Sequence, residues 1–289
     1  MLTAPRTLPL ISTLALWGVL ASVPQPALGI GAQPVIRGAA SLDAAIANGN
    51  SQVEQRCLNN GSGGFTACAS FNTADNSLGV ALGDVDGDGD LDAVIATNSG
   101  TVEQRCLNDG SGGFTACASF NTTDTSRSIA LGDVDGDGDL DVIIANNGAE
   151  QRCLNDGSGG FAACASFNAT DNSRSIALGD VDGDGDLDAV VANFSGFERR
   201  CLNDGSGGFT NCANFNATDN SYGIALGDLD GDGDLDVVVA NSGVEQRCLN
   251  DGSGGFTQCA SFNTTDDSTG LALGDVDGDG DLDAVIANS

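Results

Sequence analysis

The sequence predicts an all-β protein, a β-propeller of four-stranded blades. Three observations point there. The segment Gly-Asp-Val-Asp-Gly-Asp-Gly-Asp-Leu-Asp starts at Gly83, Gly132, Gly179 and Gly274, and returns at Gly227 with Leu229 in place of Val. Its offsets of 49, 47, 48 and 47 residues mark one unit repeated five times, a period that belongs to repeat architectures. Within each unit, short apolar runs alternate with Gly- and Asn-rich turns, and Gly recurs too often for helices. Four-stranded units repeated around an axis make a propeller.

The elements follow in chain order. Residues 1–29 read as a secretory signal peptide. Arg6 supplies a positive n-region, Leu8 to Ala21 an apolar stretch of 14 residues, and Ala21 or Gly29 a small-residue exit. That stretch is short for a membrane span, although an uncleaved anchor helix is the alternative. Residues 30–40 form a short N-terminal segment, and residues 41–289 belong to the repeat. After signal cleavage, no membrane insertion is expected.

The unit from residue 128 to residue 167 shows the strand pattern. Ser128 to Leu131 leads into the Asp-rich loop. Val142 to Ala145 is apolar at every position, as in a strand buried on both faces. Glu150 to Leu154 alternates, Asn155 to Gly160 is a turn, and Phe161 to Phe167 is the fourth strand. Each unit also carries Glu and Arg two apart on the third strand, as in Glu54/Arg56 and Glu150/Arg152; same-face opposite charges are read as structural.

Ten cysteines fall at Cys57/Cys68, Cys106/Cys117, Cys153/Cys164, Cys201/Cys212 and Cys248/Cys259, always with ten residues between them. Close Cys-x-x-Cys zinc spacing is absent. An even count in an exported chain reads as disulfides; buried free thiols are the alternative. Directly opposed hairpin positions suit a disulfide. That register places Asn108 opposite Thr115 and Asp109 opposite Phe114.

The chain starts with a Cys hairpin and ends with an Asp-loop hairpin. Its last two strands, near Leu271 to Ala287, would complete the blade begun by Val53 to Phe71 and close five blades. Ser41 to Asn48 mimics a second strand without its loop and competes for the same slot. An open or incomplete larger ring is therefore the alternative.

Each Asp loop carries Asp at positions 1, 3, 5, 7 and 9, with Gly at 4 and 6. The sets are Asp84, Asp86, Asp88, Asp90 and Asp92; Asp133, Asp135, Asp137, Asp139 and Asp141; Asp180, Asp182, Asp184, Asp186 and Asp188; Asp228, Asp230, Asp232, Asp234 and Asp236; and Asp275, Asp277, Asp279, Asp281 and Asp283. Hard oxygen ligands at alternate positions around a tight Gly turn suit Ca²⁺ better than the stricter Mg²⁺. An EF-hand would need Glu at position 12, where the first loop has Ile95. Five carboxylates within nine residues repel one another unless a cation intervenes. About five Ca²⁺ sites are expected.

These motifs, together with the Asn-Asp-Gly-x-Gly-Gly-Phe turns, resemble the FG-GAP/VCBS repeats of integrin α-subunit propellers and of many secreted bacterial proteins. The resemblance covers most of the chain. It implies a propeller with Ca²⁺ in the loops between strands 1 and 2. Ligation passes by position to Asp84, Asp86, Asp88 and Asp92, with Asp90 acting through its backbone, and likewise in the other loops. Two features depart from the pattern: five units instead of the common seven, and a Cys pair in every unit.

Strand parity puts the Asp loops and the Cys-hairpin turns together on one face. Variation collects on the other. There the units carry Leu78, Arg127, Arg174, Tyr222 and Thr269 just before strand 1, and one unit alone has Phe194 and Phe197 between strands 2 and 3. Arg and aromatic residues anchor recognition surfaces, so Arg127, Arg174, Phe194, Phe197 and Tyr222 are candidate partner-binding residues; neutral loop variation is the alternative. Asn-x-Ser/Thr occurs at Asn60, Asn121, Asn168, Asn193, Asn216 and Asn263, glycan acceptors in a eukaryote.

Composition narrows the function. The 289 residues hold 10 basic and 41 acidic side chains, a net charge of −31, with no His. All the basic residues are Arg. Triads needing His, Schiff-base lysines and His-ligated zinc are excluded, and phosphate neutralisation on nucleic acid is disfavoured. Carboxylates alone can run glycoside hydrolysis, but nearly every Asp sits in a repeated loop and no singular acidic pair stands out. The reading is a secreted or cell-surface calcium-binding module for adhesion to a glycan or protein ligand. A structural surface-coat component is the alternative, and a carbohydrate-active enzyme a weaker one.

Overall fold

A computed structural model describes residues 43–47, 53–62, 64–65, 68–72, 76–98, 102–121, 125–161, 163–217, 220–262 and 266–288. The signal-peptide and 30–40 readings lie outside them, as does Asn263. Among the described residues no helix is long and apolar enough to cross a membrane.

The described elements are all strands. The first sheet holds β1 (Ala44–Ile46), β2 (Glu54–Cys57) and β3 (Ala69–Phe71), and the second holds β4 (Ser77–Gly83), β5 (Asp92–Thr97), β6 (Gln104–Asn108) and β7 (Phe114–Ser119). Then come β8 (Ser126–Gly132), β9 (Asp141–Leu154), β10 (Ala163–Gly179), β11 (Asp188–Asn193), β12 (Phe197–Leu202) and β13 (Asn211–Ala217), which join two blades in one sheet. β9 runs through both the second and third strand positions, and β10 through a fourth strand and the next first strand. The last sheet comprises β14 (Ser221–Gly227), β15 (Asp236–Gly243), β16 (Gln246–Leu249), β17 (Gln258–Ser261), β18 (Asp266–Gly274) and β19 (Asp283–Asn288). Two predicted boundaries shift accordingly: Glu150–Leu154 is not a separate strand, and the fourth strand starts at Ala163.

The fold is a β-propeller whose blades stack in sequence order. The second strands of the four complete blades are buried on both faces, as their unbroken apolar runs require. From β5, Val94 and Ala96 pack with Ile129, Val142 and Ile144 of the following blade, while Ala93 and Ile95 pack with Ala45, Phe71 and Val80 on the other side. β9, β11 and β15 repeat this alternation. An outer layer comes from aromatic pairs that cross between blades. Phe71–Phe114, Phe120–Phe161, Phe167–Phe209 and Phe215–Phe256 have ring centroids 4.6, 4.9, 4.6 and 4.8 Å apart. That spacing is favourable for tilted rings.

Ring closure differs from the five-blade expectation. β19 pairs with β18, and β18 with β15. The slot beside β2 is filled by β1, with Ala44↔Cys57, Ala45↔Arg56 and Ile46↔Gln55. That register repeats Ala93↔Cys106, Val94↔Arg105 and Ile95↔Gln104. Asp43 Oδ1 accepts from Asn59 N at 2.7 Å, the bond that Asp92 Oδ1 accepts from Asn108 N at 2.7 Å. The local segment reaches the slot with far less chain to order than the distant hairpin. The described residues thus form four complete blades between a three-stranded and a two-stranded one, the open arrangement that the sequence left as its alternative.

The ten cysteines pair as the hairpin spacing predicts: Cys57–Cys68, Cys106–Cys117, Cys153–Cys164, Cys201–Cys212 and Cys248–Cys259, with Cα atoms 3.9–4.2 Å apart. No cysteine is free, so the free-thiol alternative falls. Nor are all ten buried. Cys57, Cys106, Cys153, Cys201 and Cys248, on the third strands, lie in the core. Their partners lie on the outermost strands or, for Cys68, just before one. Cys68, Cys117 and Cys259 are exposed, while Cys164 and Cys212 are half-buried. The fourth strand is the rim of its blade, so each bond runs from core to surface.

Cys106 opposes Cys117 as expected, but the register slips between Leu107 and Asn108. Asn108 therefore faces Phe114 instead of Thr115. The slip lets Asp109 N donate to Gly113 O at 2.9 Å, closing the turn.

Candidate metal centres and the variable face

The Asp loops sit between the first and second strands of five blades. In the first, Asp84 Oδ1 accepts from Gly87 N at 2.8 Å and Oδ2 from Gly89 N at 2.9 Å. Gly87 and Gly89 have φ of 76° and 94° with open space where a Cβ would lie. Glycine is needed there for backbone conformation and not for room.

Position 9 is the hinge of the loop. Asp92 is buried; its Oδ2 accepts from Val85 N at 3.0 Å and its Oδ1 from Asn108 N. Burial is the main reason that Asp92, Asp141 and Asp188 are pushed up to about 6, with nearby carboxylates adding to the shift and backbone N–H donors opposing it.

The five loops bring carboxylates into clusters able to hold a metal ion. Oxygens from Asp84, Asp86 and Asp92 lie within 4.8 Å of one another, as do those of Asp133, Asp135 and Asp141 and of Asp228, Asp230 and Asp236. In the other two loops the clusters are Asp180, Asp182 and Asp184, and Asp275, Asp277 and Asp279. Position 5 thus replaces position 9 in two loops. The all-oxygen donor set, on a tight Gly turn, fits a hard divalent cation.

Position 7 is oriented elsewhere. A Cβ added at Gly110 would meet Asp90 Oδ2 at 2.9 Å, and Gly157, Gly205 and Gly252 stand in the same relation to Asp139, Asp186 and Asp234. These side chains face the turn of their own blade's Cys hairpin. The same contacts place the Asp loops and the Cys-hairpin turns on one face.

Successive blades also clasp one another, a feature that the sequence reading missed. Asn155 Nδ2 donates to Val85 O at 2.8 Å, Asn203 Nδ2 to Val134 O at 2.7 Å and Asn250 Nδ2 to Val181 O at 2.7 Å. Each bond runs from a hairpin turn to the second residue of the preceding blade's Asp loop. The strand Glu and Arg also reach forward. Glu54, Glu103, Glu150, Glu198 and Glu245 are fully buried and accept from the hydroxyls of Ser77, Ser126, Ser173, Ser221 and Ser268 on the next blade's first strand. Arg105 Nη1 donates to Ser158 O at 3.4 Å and Arg152 Nη1 to Ser206 O at 3.2 Å. The signal was a fixed spacing of 23 residues from Glu to Ser in every unit.

The opposite face carries the variable residues. The first strands of all five Asp-loop hairpins are bulged at one place, between Ser77/Gly79, Ser126/Ser128, Ser173/Ser175, Ser221/Gly223 and Ser268/Gly270. The extra residue is Leu78, Arg127, Arg174, Tyr222 or Thr269. A bulge leaves its extra residue outside the ladder and re-aims its side chain. Arg174 Cζ lies 4.4 Å from the Phe194 ring centroid and 5.7 Å from that of Tyr222, and the two rings meet edge-on at 5.5 Å. Arg127 acts electrostatically on Arg174. Phe197 stands 50% exposed at the start of β12, and no ring contact joins it to the trio among the described residues. Three of the five candidate partner-binding residues thus meet, and Arg127 acts on one of them from the preceding blade.

The glycosylation motifs fare less well. Asn193 is fully buried and donates to Phe197 O at 2.6 Å, and Asn121 is 7% exposed with its amide donating to Gln151 Oε1. Neither side chain has room for a glycan in the folded blade.

Comparison with known proteins agrees with this architecture. A family model described as an FG-GAP-like repeat matches residues 93–144, 133–191, 187–239 and 228–286. No curated protein matches the chain. Among solved structures, one titled for specific recognition of non-reducing terminal N-acetylglucosamine by an Agrocybe aegerita lectin is similar with a TM-score of 0.58 and 21% identity. The match covers 88% of this chain and 69% of that one. BBS1N in complex with ARL6DN has a TM-score of 0.53 and 13–14% identity over 84% and 71–72% of the two chains in two structures. PQQ-bound aldose sugar dehydrogenase from Streptomyces coelicolor has 0.52 and 15% over 93% and 94%. At such identities these likenesses bear on the fold alone. The repeat matches, falling on the strands and Asp loops described above, show that the chain belongs to the FG-GAP-like repeat family.

Proposed function

We propose that this chain is a secreted or cell-surface, calcium-loaded β-propeller that acts as a binding or adhesion module for a glycan or protein ligand. The observation that carries this reading is a division of labour between faces. One face repeats a carboxylate cluster five times. The other concentrates the residues that break the repeat. A catalytic site needs a singular constellation, and the acidic residues here are mostly committed to repeated loops. The module is therefore read as a binder and not a catalyst.

Five disulfides support an extracellular setting, since such bonds persist in oxidising compartments. Calcium is favoured by the oxygen-only donor set and by a position-7 side chain turned away from the loop. In such a site Asp84, Asp86, Asp88 and Asp92, with the Asp90 carbonyl, would hold the ion, and likewise in the other four loops. The ion would neutralise the crowded carboxylates and stiffen the hairpin beneath them.

The test is twofold. Chelator should lower the melting temperature and calcium restore it, because a ligand that binds only the folded state stabilises it; superimposable melting curves would remove calcium from the assignment. A glycan and extracellular-protein binding screen, run with and without calcium, should return a saturable ligand. Assembly into sheets with no saturable ligand would favour the surface-coat reading.

A further inference from the structure

Arg127 and Arg174 occupy the same bulge position of successive blades in a chain of net charge −31. Arg174 is stacked on Phe194, with Tyr222 edge-on behind the ring. Stacking fixes the plane of a guanidinium and leaves its in-plane N–H donors free to meet an acceptor. Among the described residues, the buried Nε of Arg127 and that of Arg174 have no hydrogen-bond partner. The groups acting on Arg174 include no carboxylate among those residues: burial comes first, then Arg127, both favouring loss of the charge, and Tyr222 opposes them. From that shared bulge position in successive blades Arg127 and Arg174 repel one another, and an anion held by both would relieve that repulsion.

Resting on the binding-module reading, we infer that Arg127 and Arg174, with the ring faces of Phe194 and Tyr222, form a subsite for a single carboxylate carried on a sugar ring, as in a uronic-acid-type residue. The paired guanidiniums suit a carboxylate, which Arg grips through two parallel N–H donors. Phe194 and Tyr222 are only partly buried, and they leave apolar surface beside the guanidinium for a pyranose C–H face. A polyanion fits poorly, because the net charge of −31 repels extended negative chains at low salt. One carboxylate on an otherwise neutral ligand avoids that penalty.

The experiment titrates glucuronate, glucose and acetate into the calcium-loaded protein by ligand-observed NMR, with a short peptide ending in a free carboxylate as competitor. Glucuronate should bind at least tenfold more tightly than glucose or acetate. Arg174→Ala and Arg174→Lys should each weaken it about tenfold, since lysine supplies charge without the stacked fork, and Arg127→Gln several-fold. The melting temperature and its response to calcium report that each variant is folded. Equal affinity for glucose, or no loss in Arg174→Ala, overturns the inference. Acetate or the peptide binding as tightly as glucuronate overturns its sugar component. A neutral glycan or protein ligand held equally by wild type and by the Arg127→Gln/Arg174→Ala double variant would sink the subsite but leave the module reading standing. Failure of every ligand in the wider screen would remove both.

Discussion

The side-chain amide of Asn203 donates to the backbone carbonyl of Val134 across 2.7 Å, tying the hairpin turn of one blade to the Asp loop of the blade before it. Asn203 also donates to Leu187 O at 3.1 Å in its own blade, so one side chain bridges two loops. Asn155 and Asn250 do the same. The Asp loops of successive blades are thus mechanically linked to the hairpin turns that follow them.

Asn203→Ala should destabilise the protein by about 1–3 kcal/mol, the range for losing partners of buried polar groups. Urea denaturation of the calcium-loaded protein measures this. The same variant should weaken calcium binding in the preceding loop, Asp133 to Asp141, more than in its own. A uniform loss across all loops, or none, would show that the bridge does not transmit position.

One loop can be silenced alone. Asp133→Asn with Asp135→Asn removes two of the three carboxylates clustered there. Calcium stoichiometry should fall by one site, and the melting temperature in calcium should drop toward the chelated value without reaching it. An unchanged stoichiometry would mean that this loop holds no ion.

The hairpin disulfides close short loops. Replacing Cys153 and Cys164 together by Ala should cost about 3 kcal/mol by the chain-entropy estimate for a loop of this length. Their Cα atoms are 4.0 Å apart at directly opposed positions, so the hairpin keeps its register without the bond. The double variant should therefore melt lower but retain its calcium stoichiometry, read by isothermal titration calorimetry.

The Glu–Ser clasp is buried and crosses between blades. Ser173→Ala should cost about 1–3 kcal/mol, the range for leaving a buried polar group without its partner. Ser173→Thr, which keeps the hydroxyl, should cost less. Denaturant midpoints compare the two; equal losses would assign the effect to packing alone.

Much of this molecule was legible in its repeats. The period showed a propeller, the unbroken apolar runs showed doubly buried second strands, and the Cys spacing showed opposed hairpin positions. The Asp loops pointed to carboxylate clusters able to hold a metal ion, because five close carboxylates repel one another. Long-range partners were harder to read. Glu150 and Arg152 looked like neighbours on one strand, yet both reach into the next blade, because a propeller packs each sheet face against its successor. The variable position before strand 1 was visible, but its status as a bulge depends on which residue of the opposite strand it fails to pair with.

Asp-Ala-Val-Ile-Ala occurs at residues 92–96 and again at 283–287. Local pattern alone makes both segments strands that follow an Asp loop, and both are. Their surroundings differ completely. In β5 the whole strand is buried, whereas in β19 Val285 is 49% exposed. β1 already fills the edge of β2 that β19 was expected to take, and among the described residues nothing covers the far side of β19. Identical side chains carry the same propensity and the same wish to leave water. Which of them succeeds depends on the neighbour that packing brings, and only assembled blades supply it.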